Sequence, residues 1–349
     1  MSRKTLQVLI AVVVGLVLTL LVLDSTDRND APNEAGPLLP GLKSRANEVE
    51  QVRISRSAGE ESVTIRRDGG AWVVSDRDDY PADVGKLRQL IIALADASIV
   101  EEKTSNPEQY EKLGVDDPAE GGDGARVFAG GEGFSYEVIL GDSAQRDFRY
   151  ARLPDQATSY LIDKNPTVPD SVGDWLLPDI VDISAERVRK VSILHADGDS
   201  IVIEKGARDL TDFAVLDVPE DRELSYATVG NGVAGALSQL KLDDVRARRD
   251  AAAATTTVFE TWDGLEITAA VTSDEGASWV AFAIGTVPVV PSAEATADDA
   301  AGAGEPAKVD DEANELNERL SAWQFRLPDY KKNLLLRRWD DILKAVDAE

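Results

Sequence analysis

VTIRRDGGAWVVSDRDDYPADVGKLRQLIIALADAS, Val63 to Ser98, decides the fold class. Val63 and Ile65 alternate with polar residues, Asp68-Gly69-Gly70 supplies turn residues, and Trp72 and Val74 alternate again, which predicts two antiparallel strands joined by a tight turn. YPAD (Tyr80 to Asp83) then breaks the period of two, and Asp83 is placed to cap a helix. From Val84 the apolar residues move to helical spacing, Val84, Leu87, Ile91, Leu94 and Ser98, and define one buried face. Upstream, Val52 and Ile54 predict a strand after Val49. Downstream, Val127, Tyr136–Leu140, Tyr150–Leu153 and Tyr160–Ile162 predict further antiparallel strands.

The same order recurs. Val191 and Ile193 predict a strand and Ile201 and Ile203 another, while Phe213 and Val215 stand where Trp72 and Val74 stood. Tyr226-Ala-Thr-Val229 takes the place of YPAD. A helical stripe follows at Val229, Val233, Ala236, Leu237 and Leu240, and Ile99 has its counterpart in Val245. Thr257–Trp262, Leu265–Val271 and Trp279–Ile284 then read as strands. A single α+β chain shows such alternation without repeating anything, but agreement in order and spacing predicts two copies of one unit. The expected fold class is α+β: a transmembrane helix followed by two duplicated lobes of antiparallel sheet plus helix.

The expected organisation is a cytoplasmic stub and membrane anchor over 1–23, a tether over 24–48, and a first repeat over 49–185. A second repeat follows over 186–289, then a disordered acidic insertion over 290–313 and a C-terminal extension over 314–349. The tether is polar and broken by Pro32, Pro37, Pro40 and Gly41, with Leu38, Leu39 and Leu42 available to dock on the first domain. Val290 to Ala313 is rich in Ala, Asp, Glu, Gly and Pro and lacks the apolar mass to order itself. In the extension, Trp323, Phe325, Leu327 and Tyr330 form an apolar cluster, and Leu334, Leu335, Trp339, Ile342 and Leu343 mark a terminal helix.

Leu6 to Leu23 reads LQVLIAVVVGLVLTLLVL. As a helix it spans roughly 27 Å, close to the hydrocarbon thickness of a bilayer. Arg3 and Lys4 precede it and Asp24, Asp27 and Asp30 follow, so the basic end is expected in the cytoplasm and the remainder outside. A cleaved signal peptide is the rival reading. It has a shorter apolar core and a small-residue cleavage site, whereas this run ends in Leu20, Leu21, Val22 and Leu23.

Charge excludes one large class of function. With 37 Lys+Arg against 64 Asp+Glu, the net charge of −27 repels nucleic-acid backbones. It also argues against lying flat on anionic lipid. There is no cysteine, so disulfides, thiolate nucleophiles and cysteine-bound metals are ruled out. His195 is the single histidine, which leaves no multi-histidine metal site within one chain.

Each motif that suggests chemistry has a plainer reading. Gly141-Asp142-Ser143 echoes a serine-esterase block, yet no Asp-x-x-His supplies the base that such a serine needs, and a strand-ending turn is preferred. Asp76, Asp78, Asp79 and Asp83 lack the glycine and closing glutamate of a calcium loop, so a solvated turn and a helix cap account for them. Asp197-Gly198-Asp199 reads as a hairpin turn. Gly121-Gly122-Asp123-Gly124 and Gly130-Gly131-Glu132-Gly133 carry acids and no Lys-Ser/Thr, so they read as hairpin loops rather than phosphate cradles. Arg246, Arg248 and Arg249 read as charge compensation at a helix C-terminus. Trp323, Tyr330 and Trp339 read as core, with an interface as the alternative. No catalytic, cofactor-binding or metal-binding residue is assigned, and no cofactor is expected.

Several stretches resemble one bacterial family. They are PLLPGL (Pro37 to Leu42), Trp72-Val-Val with YPAD, KTSNPEQYEKLGVDDP (Lys103 to Pro118), ILGD (Ile139 to Asp142) and the run from Trp323 to Tyr330. It is a family of membrane-anchored domains of unknown function, often encoded beside ABC transporters of the gliding-motility type. The resemblance implies a non-enzymatic, extracytoplasmic accessory subunit at the inner membrane, with a transporter permease or envelope proteins as partners. Two further readings stay open: a module holding a small molecule, glycan or lipid between the lobes, and an envelope hydrolase using carboxylates.

Overall fold

Period-two alternation becomes sheet, and helical spacing becomes helix, through most of this computed structural model, which describes residues 36–57, 62–145, 147–289 and 306–345. In chain order β1 (Gln51–Ser55) precedes an antiparallel ribbon of β2 (Val63–Asp68), β3 (Ala71–Val74) and β4 (Tyr80–Pro81). Helix α1 (Val84–Asp96) leads to β5 (Ile99–Glu102), then to β6 (Ala125–Gly131), β7 (Phe134–Gln145), β8 (Phe148–Arg152) and β9 (Ser159–Ile162). The short β10 (Asp179–Val181) is followed by β11 (Val188–His195), β12 (Ser200–Glu204), β13 (Ala214–Val215) and helix α2 (Val229–Ala234). Next come β14 (Leu240–Lys241), β15 (Asp244–Ala247), β16 (Thr255–Thr261), β17 (Leu265–Asp274) and β18 (Ala277–Thr286). Helix α3 (Pro306–Leu320), β19 (Trp323–Arg326), α4 (Asp329–Leu335) and α5 (Trp339–Ile342) close the described chain. Antiparallel sheet predominates and helices are few, so the class is α+β.

The described residues fall into two compact units, 36–57 with 88–168 and 62–87 with 169–345. In the first, six strands pair in the order β1-β6-β7-β8-β9-β5. Val52 opposite Ala129 and Ile54 opposite Val127 fix the register that turns these side chains to the core. The segment Pro37 to Leu42 seals this unit: Leu38 N–H donates to the Ala97 carbonyl at 2.8 Å, and Ile99 N–H to that of Gly36 at 2.9 Å. Leu38, Leu39 and Leu42 are buried, as expected of a docking patch.

In the second unit eight strands pair in the order β13-β12-β11-β16-β17-β18-β19-β15. Its core holds Trp175, Phe259, Phe282 and Phe325. The last six strands of that order, β11-β16-β17-β18-β19-β15, match β1-β6-β7-β8-β9-β5 place for place. The hairpin β12–β13 likewise matches β2–β3 in chain order and antiparallel pairing.

Helix α1 buries Leu87, Leu90, Ile91 and Leu94, and Asp83 accepts from the Lys86 N–H at 3.0 Å. Its counterpart is shorter than the stripe predicts. Helix α2 ends at Ala234, Gly235–Leu237 tighten into a 3₁₀ turn, and Leu240 lies on β14. Gly230, Gly232 and Gly235 lower helix propensity there.

Two expectations at the C-terminal side need correction. Helix α3 starts at Pro306, so the end of the stretch read as a disordered insertion (290–313) is helical. Val309, Ala313 and Leu320 are buried, and the helix packs along β18: a sparse apolar stripe suffices where a sheet receives it. The single terminal helix is instead two, α4 and α5, because carbonyls at the break are captured. Thr257 Oγ1 donates to Leu335 O at 2.7 Å, and His195 Nε2 lies 3.0 Å from Arg337 O.

The apolar run Leu6–Leu23 lies outside the described residues. Among the described residues no helix is long and apolar enough to cross a membrane.

Candidate functional site

In the first unit the motif Lys103–Pro118 folds as short 3₁₀ turns that lead into β6. Asn106 and Asp117 cap two of these turns, accepting from Glu108 N–H at 3.1 Å and Ala119 N–H at 3.0 Å. The loop lies against Gly141, where an added Cβ would meet the Leu113 carbonyl oxygen at 2.2 Å. The Gly-Asp-Ser block is therefore a close backbone crossing, and Ser143 Oγ donates to Asn165 Oδ1 at 3.1 Å rather than to a base.

Beside this loop is an open cavity of about 660 Å³. Arg152, 7% exposed, forms part of its wall. Its guanidinium donates to the Val115 carbonyl at 3.1 Å and to those of Pro154 and Gln156 at 3.4 Å. It also stands 4.6 Å from the centre of the Tyr110 ring, whose hydroxyl donates to Ala157 O. Arg152 thus ties two loops together through neutral acceptors. Asp116, on the same wall, has its carboxyl held above the ordinary range, by burial first and then by the Glu111 charge. Gly121-Gly122-Asp123-Gly124 is no hairpin: a Cβ on Gly122 would overlap Asp116, so the glycines let the loop close on that residue. Glu132-Gly133 does form the hairpin turn between β6 and β7.

The second unit holds a cavity of about 630 Å³ at one end of its sheet. Its lining includes Ser184, Glu186, Arg187, Lys205, Arg208 and Asp263. Arg187 is neutralised by Asp263 at 2.9 Å and Glu312 at 2.6 Å, and the hydrogen bonds to Glu312 hold its proton more firmly than usual. Lys205 is different: it is 5% exposed. Its Nζ lies 5.5 Å from the centre of the Phe213 ring, and among the described residues no side-chain hydrogen bond or ion pair holds it. Sequence reasoning missed it. The available signal was a lysine at the third inward position of the alternation Ile201, Ile203, Lys205.

The acidic turn at Asp76–Asp83 does not converge on a cation. Asp76 accepts from Thr64 N–H at 2.6 Å, Asp78 from Ala247 N–H at 2.8 Å, and Asp79 from Arg66 at 2.7 Å. Asp83 caps α1. Among the described residues no cluster of three metal-binding side chains occurs. Asp197-Gly198-Asp199 is the β11–β12 turn, with Gly198 at φ 92°, and both carboxylates face Arg338, at 2.8 and 3.4 Å.

His195 ends β11 beside that turn and is buried, with Nδ1 2.9 Å from Thr255 Oγ1. Arg246 does not compensate a helix. It sits on β15, pairs with Asp274 at 2.5 Å and stacks 4.2 Å from the Trp279 ring centre. Nor is Tyr330 core, being 67% exposed, while Trp323 and Trp339 are half-buried. Tyr80 instead packs edge-on to Trp323, with ring centres 5.0 Å apart and planes at 87°.

Fold and sites together define a class: an antiparallel α+β protein whose shared motifs serve loop closure and packing. The chain belongs to the family described as a domain of unknown function, DUF4340, which it matches over residues 72–258. No curated protein and no solved structure matches it.

Proposed function

We propose that this protein is a non-enzymatic accessory subunit of an ABC-type transport or envelope system, anchored by Leu6–Leu23 with its folded units outside the cytoplasm. The observation that carries this reading is the use made of the motif residues. Asp76, Asp78, Asp79, Asp83, Asp117 and Ser143 each serve a backbone or side-chain partner within the fold. Groups committed in this way suit a protein that scaffolds others better than one that turns over a substrate. The docked segment Pro37–Leu42 adds support, because it fastens the chain to the first unit close behind the apolar run. From Asp24 to Ala35 the span is about 12 residues, so the first unit would stand no farther than about 40 Å from the bilayer. The resemblance to domains encoded beside gliding-motility-type transporters supplies the partner.

Crosslinking the full-length protein in native membranes, followed by identification of what is attached, tests the proposal. Recovery of a permease or ATPase subunit is expected. A protein found free of the membrane, or lacking such partners under several crosslinkers, would count decisively against it.

We also infer that the chain carries one duplicated unit, its copies at 49–185 and 186–289, with the sheet of the second completed by β19 (Trp323–Arg326) from beyond that span. The shared strand order supports this, as does a detail below the level of topology. Arg67 lies over the Trp72 ring at 5.1 Å, and Lys205 lies over the Phe213 ring at 5.5 Å. A cation over an aromatic ring recurs at the same point of both hairpins.

A second reading, a module that binds a small molecule, is favoured by the cavity around Lys205. There it would act within the second unit.

A further inference from the structure

The two cation–aromatic pairs differ in exposure. Arg67, following Val63 and Ile65 on β2, is exposed. Lys205, in the same register after Ile201 and Ile203, is 5% exposed. The turn after β2 is Gly69-Gly70, whereas the segment after Lys205 runs from Gly206 through Asp212 and Phe213 before β13 begins. This longer loop, with Ser184–Arg187 ahead of β11 and Asp263 from the β16–β17 turn, forms a cavity of about 630 Å³ with Lys205 on its wall. That volume suits a small molecule.

An ammonium on a cavity wall, on a side chain that is otherwise buried, is stabilised by a counter-charge. Of the carboxylates on the lining, Asp263 is taken up by Arg187 and by the hydroxyl of Thr261, while Glu186 and Asp209 are exposed. Among the described residues none accepts a hydrogen bond from Lys205 Nζ. We propose that this cavity is a binding site for a small ligand bearing a carboxylate or phosphate, with the Lys205 ammonium as its buried counter-charge. The hydroxyls of Ser184 and Thr211 lie on the same lining. Glu186 and Asp209 are exposed parts of that lining, so they favour a ligand whose outer end is cationic or neutral. This site is independent of the transporter reading: it holds whether or not a permease is the partner.

Titration calorimetry on the full-length protein in detergent, at low ionic strength, tests the site with two probes, inorganic phosphate and the dipeptide alanylalanine. At least one is expected to bind saturably, and amidating the dipeptide's carboxylate is expected to abolish its binding. Lys205→Gln should weaken binding by at least about tenfold, the size expected when one partner of a buried charge pair is lost. Lys205→Arg should retain it, and Arg67→Gln, the counterpart in the other hairpin, should leave it unchanged. Thermal unfolding of each variant separates lost binding from lost folding. If neither probe binds, or if Lys205→Gln binds as the parent does, the proposal is overturned and Lys205 serves only to pack against Phe213.

Discussion

Arg77 Nε donates to Asp244 Oδ1 at 2.6 Å, joining residues 167 positions apart in the chain. Both side chains are largely buried, at 18% and 12% exposure, and the Asp244 carboxylate also accepts from the Val245 N–H at 2.9 Å. The β3–β4 turn, ahead of α1, is thereby locked to the edge strand β15 of the second unit's sheet. Removing either side chain breaks this largely buried, charge-assisted pair. Asp244→Ala is expected to destabilise the protein by about 3 kcal/mol, whereas Arg77→Met with Asp244→Leu should recover part of that loss. Urea denaturation of the two single variants and the double variant reads the coupling; simple additivity would show that the pair contributes nothing as a pair.

Gly141 gives a second test, this time in the first unit. An alanine there would place its Cβ 2.2 Å from the Leu113 carbonyl oxygen, and backbone cannot yield as a long side chain does. Gly141→Ala is expected to cost about 2 kcal/mol or more. Ser143→Ala, which loses only an exposed hydrogen bond to Asn165, should cost under about 1 kcal/mol. A serine nucleophile would show the reverse ranking in any activity assay, so the two variants together separate packing from chemistry.

Alternation was legible where it was strict. Val63/Ile65, Ile201/Ile203 and the helical stripe around Leu87–Leu94 all face the core as their spacing requires. Legibility failed where a distant partner decides the outcome. Arg246 reads as a helix-end charge until Asp274 and Trp279 are seen beside it on a strand. The break between α4 and α5 depends on Thr257 and His195, roughly 80 and 140 residues upstream. Local propensity cannot anticipate such captures. Lys205 was overlooked for a related reason: a lysine after two inward isoleucines looks like a strand end, and only the loop over it reveals burial.

Those captures carry a prediction. His195 touches Thr255 on one side and the Arg337 carbonyl on the other, and Thr257 holds Leu335 O. His195→Leu and Thr257→Val should each free the chain between α4 and α5 while leaving the sheet intact. Hydrogen exchange at residues 336–345 is expected to quicken by about tenfold, since one lost buried hydrogen bond is worth about 1 kcal/mol or more. Unchanged exchange in that segment would mean that Ser225, which donates to the Ile342 carbonyl at 2.9 Å, suffices to hold it.

Tyr80 sets an alkaline limit. Its ring lies edge-on to Trp323 and Phe325, its hydroxyl donates to Leu177 O at 3.3 Å, and burial pushes its pKa up to about 12. In the unfolded chain the phenol ionises near 10. Between these values the folded state binds the proton that the unfolded state has released, so stability falls as pH rises. The contribution is complete below pH 10 and is lost by about pH 12, a difference of roughly 2–3 kcal/mol. Denaturation at pH 9 and pH 11.5 should show a steeper loss for the parent than for Tyr80→Phe, which keeps the ring but cannot ionise. At pH 9 the order should reverse, with Tyr80→Phe weaker by up to about 1 kcal/mol for the missing hydrogen bond. Parallel pH profiles for the two proteins would mean that the phenolate is solvated in the folded state, and that the edge-on packing opens more readily than the closely spaced rings suggest.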